Sequence, residues 1–434
     1  MPYDPSVGLA AARAREASYL LASSPSSLRS AALMEMAAVL CARREEIFAA
    51  NAQDLARAQA EGLPAAQCAR LRFDAHKLED VCRGAQALAA MPDPIGIRQI
   101  HRELAEGLVL SRVACPIGVV GVIFESRPDA LVQIGALCLK SGNAVLLKGG
   151  REALSTNEAL FRAMTEATER VGIPAGWAAL LTTREDVNAL LERDGDVDLI
   201  IPRGSGAFVR YIMDHTRIPV LGHSEGVCHL VLDADCAPEM AARVAVDAKT
   251  QYPSACNAAE KILWHRDAGE ALLAAAGALR EAGVRLRADE ATRALLTGAG
   301  IPCEAAEEDD WRREYADLEI TLGRVDDLDE AIARVNRCGS HHTDALLTGN
   351  EASWARFAAR VDSAGVYRNC STRFADGYRY GFGAEVGIAT GRLHARGPMG
   401  LEGLCSYKYL LEGNGDTVGA FAEGERSYTH RDLP

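Results

Sequence analysis

The chain has 434 residues, 48% of them hydrophobic and 25% charged, the make-up of a well-packed globular protein too long for one small domain and expected to form two or three lobes. Its 47 Lys and Arg are outnumbered by 60 Asp and Glu, and the net charge of −13 excludes nucleic-acid and polybasic membrane-surface partners, which need a positive field, while small anionic ligands stay possible where basic groups gather. Its 12 cysteines are scattered singly behind an N-terminus with no signal-peptide pattern, pointing to the reducing cytoplasm rather than a disulfide framework, and no CxxC pair or His/Cys cluster suggests a metal.

In chain order, the first hundred residues read as alanine-rich helices. Ser24-Pro25 supplies an N-cap and first turn, and Leu33, Met36, Leu40 and Ile47 follow at helical spacing. After Met91-Pro92-Asp93-Pro94 the segment 101–115 alternates around Gly107 like a hairpin, which is marginal unless something covers it. The longest apolar run, 113–124, is far short of the ~20 residues of a membrane span.

From Pro116 a regular alternation predicts a strand over 119–124, a helix over 130–140 ended by Gly142, and a strand over 144–148. Ser155-Thr156-Asn157-Glu158 has capping-box form and opens a helix that stops at Gly172. Strands at 178–181 and 197–201 and a helix over 205–215 complete a parallel sheet covered on both faces. Such sheets bind ligands at the carboxyl ends of their strands. A second β/α stretch follows, with a helix over 238–249, a strand over 261–264 and a helix over 268–282. The segment 369–403 is glycine-rich, irregular and dense in Arg and aromatic residues, the texture of a functional loop.

Three strand-to-helix turns carry candidate chemistry. Glu125-Ser126-Arg127-Pro128 and Lys148-Gly149-Gly150-Arg151 offer cations and backbone N–H groups suited to phosphate, although either alone also reads as a tight turn with solvated charges. Gly204-Ser205-Gly206 reads as a simple N-cap or as the place where a dinucleotide pyrophosphate approaches a helix end; no GxGxxG fingerprint is present. Cys256, in QYPSACNA over 251–258, sits in a polar turn where a thiolate nucleophile belongs, against the bland reading that it is one more small apolar filler.

The run PIGVVGVIFESRPDA at 116–130, QYPSACNAAEKIL at 251–263 and LHARGPMGLEGLCSYKY at 393–409 closely resemble the gamma-glutamyl phosphate reductases, a family of the aldehyde dehydrogenase superfamily, and the resemblance runs almost end to end. It implies an α/β, aldehyde dehydrogenase-like fold: a Rossmann-type NADP-binding domain over 1–102 and 115–223 with its helical N-terminal region, an α/β catalytic domain over 224–385, and a small β oligomerisation element from the hairpin 103–114 and the tail 386–425. It also implies NADPH-dependent reduction of L-glutamate 5-phosphate to L-glutamate 5-semialdehyde, with release of phosphate, in L-proline biosynthesis. The Cys256 thiolate would attack the acyl phosphate to give a thioester that NADPH reduces. The Cys256 N–H with the side chain of Asn257 or Ser126 would hold the oxyanion, each donor typically worth about 3 kcal/mol.

Two departures from the wider superfamily sharpen this. Where hydrolytic relatives carry a glutamate base, this chain has Val220, as expected of an enzyme whose thioester must not meet activated water, with Glu225 the nearby carboxylate. Where many NAD-using relatives carry a glutamate three residues beyond the ribose-contacting lysine, Arg151 follows Lys148, and two cations favour the 2′-phosphate of NADP. The resemblance further carries the nicotinamide ribose contact onto Glu314 and leaves Arg127, Arg373 and Arg396 as cations for the substrate's carboxylate and phosphate. His223 and His394 lie near family motifs and receive no catalytic role. A homo-oligomer, dimer or tetramer, is expected, with association with an upstream glutamate kinase as a further partner. The alternative is a related NAD(P)-dependent aldehyde dehydrogenase acting on another semialdehyde or acyl phosphate, which would differ over 373–399.

Overall fold

The computed structural model describes residues 7–125, 127–223 and 225–434. Five helices open the chain: α1 (Val7–Ala22), α2 (Ser26–Ala42), α3 (Arg44–Ala60), α4 (Ala65–Leu71) and α5 (Ala75–Ala90). Pro25 rather than Ser24 is the residue that caps α2, and a break at Arg43 puts Ile47 on α3. Next come strands β1 (Arg98–Ala105), β2 (Leu108–Pro116) and β3 (Val119–Phe124), helix α6 (Pro128–Lys140), β4 (Ala144–Lys148), α7 (Leu154–Arg170), β5 (Ala178–Leu181), α8 (Glu185–Leu191), β6 (Leu199–Arg203) and α9 (Gly206–Asp214).

Strands β3 to β6 form a parallel sheet in the order β5-β4-β3-β6. Its two faces are sorted by strand periodicity. Val120, Val122, Val145 and Leu147 enter the core shared with α2, α5, α6 and α7, while Val119, Ile123, Ala144 and Leu146 enter the core shared with α1 and α8. The chain order reverses between β3 and β6, and such a switch point opens a crevice at the carboxyl ends.

The expected capping box at 155–158 is not what starts α7. The helix already begins at Leu154, its Ala153 cap makes no side-chain bond, and the buried Asp54 carboxylate of α3 instead accepts the N–H groups of Ser155 and Thr156 at 3.2 and 2.8 Å. A carboxylate delivered from a neighbouring helix does the capping and complements the helix dipole. The strand expected at 197–201 runs two residues later, so Arg203 belongs to its end.

The second lobe holds β7 (Cys228–Leu232), α10 (Pro238–Thr250), β8 (Ala259–His265), β9 (Arg285–Ala288), β10 (Glu304–Ala305), β11 (Glu319–Val325), β12 (Thr343–Leu347) and β13 (Gly365–Arg368). They form a seven-stranded parallel sheet, β10-β9-β11-β8-β7-β12-β13. The pairs β14 (Ile388–Ala389) and β15 (Gly397–Pro398) follow, then β16 (Cys405–Glu412) and β17 (Arg431–Asp432).

The hairpin is longer than the expected 103–114, and its cover is β16, which pairs antiparallel with β2 from Cys405 opposite Pro116 to Glu412 opposite Val109. The segment expected to be tail divides in two. Val386, Ala389, Met399, Leu401 and Leu404 pack into the first lobe's core, and only β16 onward joins the outer sheet.

Candidate active site

Cys256 lies in the turn between α10 and β8, at the amino ends of the second sheet, while the carboxyl end of β6 faces it from the first lobe. A cavity of about 170 Å3 is lined by both: Ile201, Pro202, Arg203 and Gly204 from the first lobe, Cys256 from the second, and Glu385, Gly387 and Ile388 from the glycine-rich loop. The turn is seated by close backbone contact. A Cβ on buried Gly226 would stand 2.1 Å from the Cys256 carbonyl oxygen, so only glycine lets the chain entering β7 pass beneath Cys256. Cys228 adds an S–H contact to the same carbonyl at 3.4 Å.

Asn257 is buried, and its amide donates to the Ala375 carbonyl at 2.8 Å while Thr372 donates to the Asn257 carbonyl at 2.6 Å. These bonds fasten the loop carrying Arg373 to the nucleophile turn, so the Asn257 amide is engaged there; its Oδ1 has no partner. Ser126, the other expected oxyanion donor, lies outside the described residues.

Two arginines lie within electrostatic reach of Cys256. Arg373 is buried, its Nε donates to Gln251 at 2.9 Å and its guanidinium lies over the Tyr252 ring. Burial lowers its pKa, helped by the repulsion of Arg379, and Cys256 acts in the opposite sense. Arg203, which the sequence reading did not select, behaves alike: burial lowers it, while Glu385 and Cys256 oppose the shift and Arg127 repels it. Arg127 and Arg203 are thus neighbours across the β3–β6 crevice. Burial also raises the Glu385 carboxyl, whose Oε2 accepts the Gly377 N–H at 2.8 Å. Arg396 is held elsewhere, paired with Asp362 at 2.8 Å, a carboxylate it shares with Arg392.

The expected cofactor residues gather at the strand ends of the first lobe. Lys148 is buried at the end of β4, donates to the Gly149 carbonyl at 2.6 Å, and burial lowers its pKa. Arg151 is 81% exposed and paired with Glu61 at 3.3 Å, open to an incoming anion at the surface. Ser205 caps α9 without using its side chain, and a Cβ on Gly204 would crowd Glu125 at 2.9 Å. A helix N-terminus with unused first-turn N–H groups and a cradle that a side chain would fill fit a pyrophosphate. Val220 bridges in parallel to Ile200, and Glu225 is exposed. His394 is exposed and bonds the Gly403 carbonyl at 3.0 Å.

Behind Cys256 lies a buried charge cluster that sequence reading missed. Glu260 pairs with Lys249 of α10 at 3.1 Å and accepts the N–H groups of Tyr315 and Ala316 at 3.2 and 3.3 Å. Those bonds hold the turn where Ala316 adopts a positive φ of 52°, just beyond half-buried Glu314. Lys261 donates to the Arg313 carbonyl at 2.7 Å and lies 4.3 Å from the centre of the Tyr315 ring. One cluster therefore ties β8, the strand that follows the Cys256 turn, to the Glu314 segment.

The sequence profile described as aldehyde dehydrogenase family matches residues 4–297. A gamma-glutamyl phosphate reductase of Synechococcus sp. (strain CC9902) is 55% identical over 409 residues, covering 94% of this chain and 92% of that one. The chain belongs to the gamma-glutamyl phosphate reductase family. A further member, from Acetivibrio thermocellus, is 50% identical over 429 residues, or 99% and 98% of the two chains. The crystal structure of the gamma-glutamyl phosphate reductase from Thermotoga maritima superposes with a TM-score of 0.92 at 35% identity, covering 95% of this chain and all 100% of that one. The α/β fold of that family is therefore the fold seen here. An engineered glycolyl-CoA reductase with bound NADP+ shares the architecture at a TM-score of 0.64 and 14% identity. Among the described residues no helix is long and apolar enough to cross a membrane.

Proposed function

We infer that the protein reduces gamma-glutamyl phosphate (L-glutamate 5-phosphate) to L-glutamate 5-semialdehyde in proline biosynthesis, as an oxidoreductase of the aldehyde dehydrogenase family using a nicotinamide cofactor, and that this cofactor is NADPH. The observation that carries the chemistry is that Cys256 shares a cavity with Arg203, that the loop carrying Arg373 is bonded to its turn, and that both guanidiniums lie within electrostatic reach of the sulfur.

Cys256 as thiolate attacks the acyl carbon, forming the S–C bond as the carbonyl electron pair moves onto oxygen; collapse of that tetrahedral oxyanion breaks the C–O bond, and phosphate leaves with the electron pair. Arg127, Arg203 and Arg373 form the cationic rim that receives a doubly anionic substrate and its leaving phosphate. A bound nicotinamide supplies the hydride that reduces the resulting thioester. Lys148, the α9 N-terminus at Gly204-Ser205 and Glu314 would hold that cofactor, with Arg151 meeting a 2′-phosphate. The tetrahedral oxyanion formed at each stage would be held by the Cys256 N–H and, with the Asn257 amide engaged by Ala375, by the Ser126 hydroxyl. Collapse of the thiohemiacetal returns the electron pair to Cys256 sulfur. Val220 at the hydrolytic-base position keeps water unactivated, so the thioester persists until it is reduced.

The first lobe then serves as cofactor domain and the second as catalytic domain. The outer sheet, whose β16 edge has no strand partner among the described residues and exposes Tyr407, Tyr409 and Leu411, serves as the contact of a homo-oligomer, dimer or tetramer. The assay runs in reverse, following NADPH absorbance from L-glutamate semialdehyde, NADP and phosphate. Phosphate-dependent turnover abolished by Cys256→Ala is expected; turnover without phosphate, or surviving that substitution, refutes the mechanism. Arg151→Glu is expected to raise KM for NADPH more than for NADH, and equal changes would remove the cofactor assignment.

A further inference from the structure

The fold brings together three metal-ligating side chains that are remote in sequence. His223 enters from the segment leaving the first lobe, Cys256 from the α10–β8 turn, and His342 from the residue before β12. One ligand atom from each lies within 4.8 Å of the others. The two imidazoles meet edge to face with ring centres 5.0 Å apart. His223 is fixed through Nδ1 on the Ile388 carbonyl at 2.9 Å, which requires a proton on Nδ1 and leaves the Nε2 lone pair for the cavity. His342 is 1% exposed; its Nδ1 meets the Thr343 hydroxyl at 2.9 Å, and its Nε2 has no hydrogen-bond partner. A buried ring nitrogen without a partner is costly, and the reductase mechanism makes no use of it.

We propose that His223, Cys256 and His342 bind a thiophilic divalent cation, Zn2+ being the best match, and that binding takes the nucleophile out of service. One thiolate and two imidazoles are a zinc donor set, and both rings are already oriented by bonds at their other nitrogen. Capture forms the S–Zn bond as the Cys256 thiol gives its proton to solvent, and a chelator reverses it. Glu385 lines the same cavity and offsets the charge, whereas Arg203 and Arg373 oppose it, so phosphate-bearing substrate and metal compete for the site. The inhibitory half of the proposal rests on Cys256 being the reductase nucleophile; the binding half does not.

The full chain, stripped with a chelator, is titrated with Zn2+ against a chromogenic chelating dye and with Co2+ in the spectrophotometer. The expected result is one site per chain, a thiolate-to-cobalt charge-transfer band absent from Cys256→Ser, slower alkylation of Cys256 by iodoacetamide in the presence of Zn2+, and affinity weakened at least about tenfold by His342→Gln and, at a less buried position, by His223→Ala. Equal zinc affinity in the wild type and all three variants, or no cobalt–thiolate band, overturns the site. Binding as described in a protein whose metal-free form has no reductase activity supports the site and overturns the reductase reading instead.

Discussion

Strands β3, β4 and β5 bury almost wholly apolar side chains on both faces, and the basic groups of that sheet, Lys148 and Arg203, stand at the carboxyl ends of β4 and β6. In the seven-stranded sheet the polar groups lie inside: His229 on β7, Glu260 and Lys261 on β8, Thr321 on β11, and Thr343 and Asp344 on β12 are all buried. Every one of them is within the first three residues of its strand. The two sheets are thus alike in placing polarity on the side facing the cleft. They differ in depth: the first sheet carries its cations at the strand ends, whereas the second carries its polar groups within the strands beside the Cys256 turn.

The largest effect should come from breaking the interior polar network. Glu260→Leu strands Lys249 and Lys261 without a carboxylate and should cost about 3–5 kcal/mol in urea unfolding, much of it recovered by adding Lys249→Met. Leu146→Ala, an apolar truncation in the first sheet, should cost roughly 3 kcal/mol, with no pH dependence. A larger loss for Leu146→Ala would break the contrast between the two interiors. Asp54→Ala, which removes a polar contact whose Arg57 partner reaches solvent, should lower stability by only about 1–2 kcal/mol.

The most diagnostic effect is a slope. Burial lowers Lys261 to about 7 against the attraction of Glu260, so above that pH the unfolded chain binds the proton that the folded chain has lost. Stability should therefore rise with pH between about 7 and 10.5, by at most about 1.4 kcal/mol per pH unit, and Lys261→Met should flatten that rise. Glu260, raised by burial to about 7, acts in the opposite sense in a separate window below that pH, where its contribution is lost as pH rises. Parallel wild-type and Lys261→Met profiles above pH 7 would show that the interior lysine keeps its charge.

Much of this was legible in the sequence because it is local. The apolar runs at 119–124 and 144–148 could only be buried parallel strands, and Cys256 stood out by its polar turn. What escaped depends on register between distant strands. His342 becomes a neighbour of Cys256 through the pairing of β12 with β7 and of β7 with β8, which no spacing rule encodes. Arg203 was hidden because 197–201 was read as the strand, two residues short of its end. Ser155 to Glu158 satisfied a capping pattern, yet Asp54 from another helix occupies those N–H groups. Arg396 matched a motif, but Asp362 claims it.

The pairing of β16 with β2 has a consequence for biosynthesis. On the ribosome, β1 and β2 emerge early and can close their hairpin, but the outer edge of β2 stays open until residue 412 has left the exit tunnel. For that interval the nascent chain displays a strand edge that a second nascent chain could pair with. A chain terminated before residue 405 therefore loses more than an appendage: it keeps the whole Cys256 turn beside a sheet whose β2 edge is left open to another molecule.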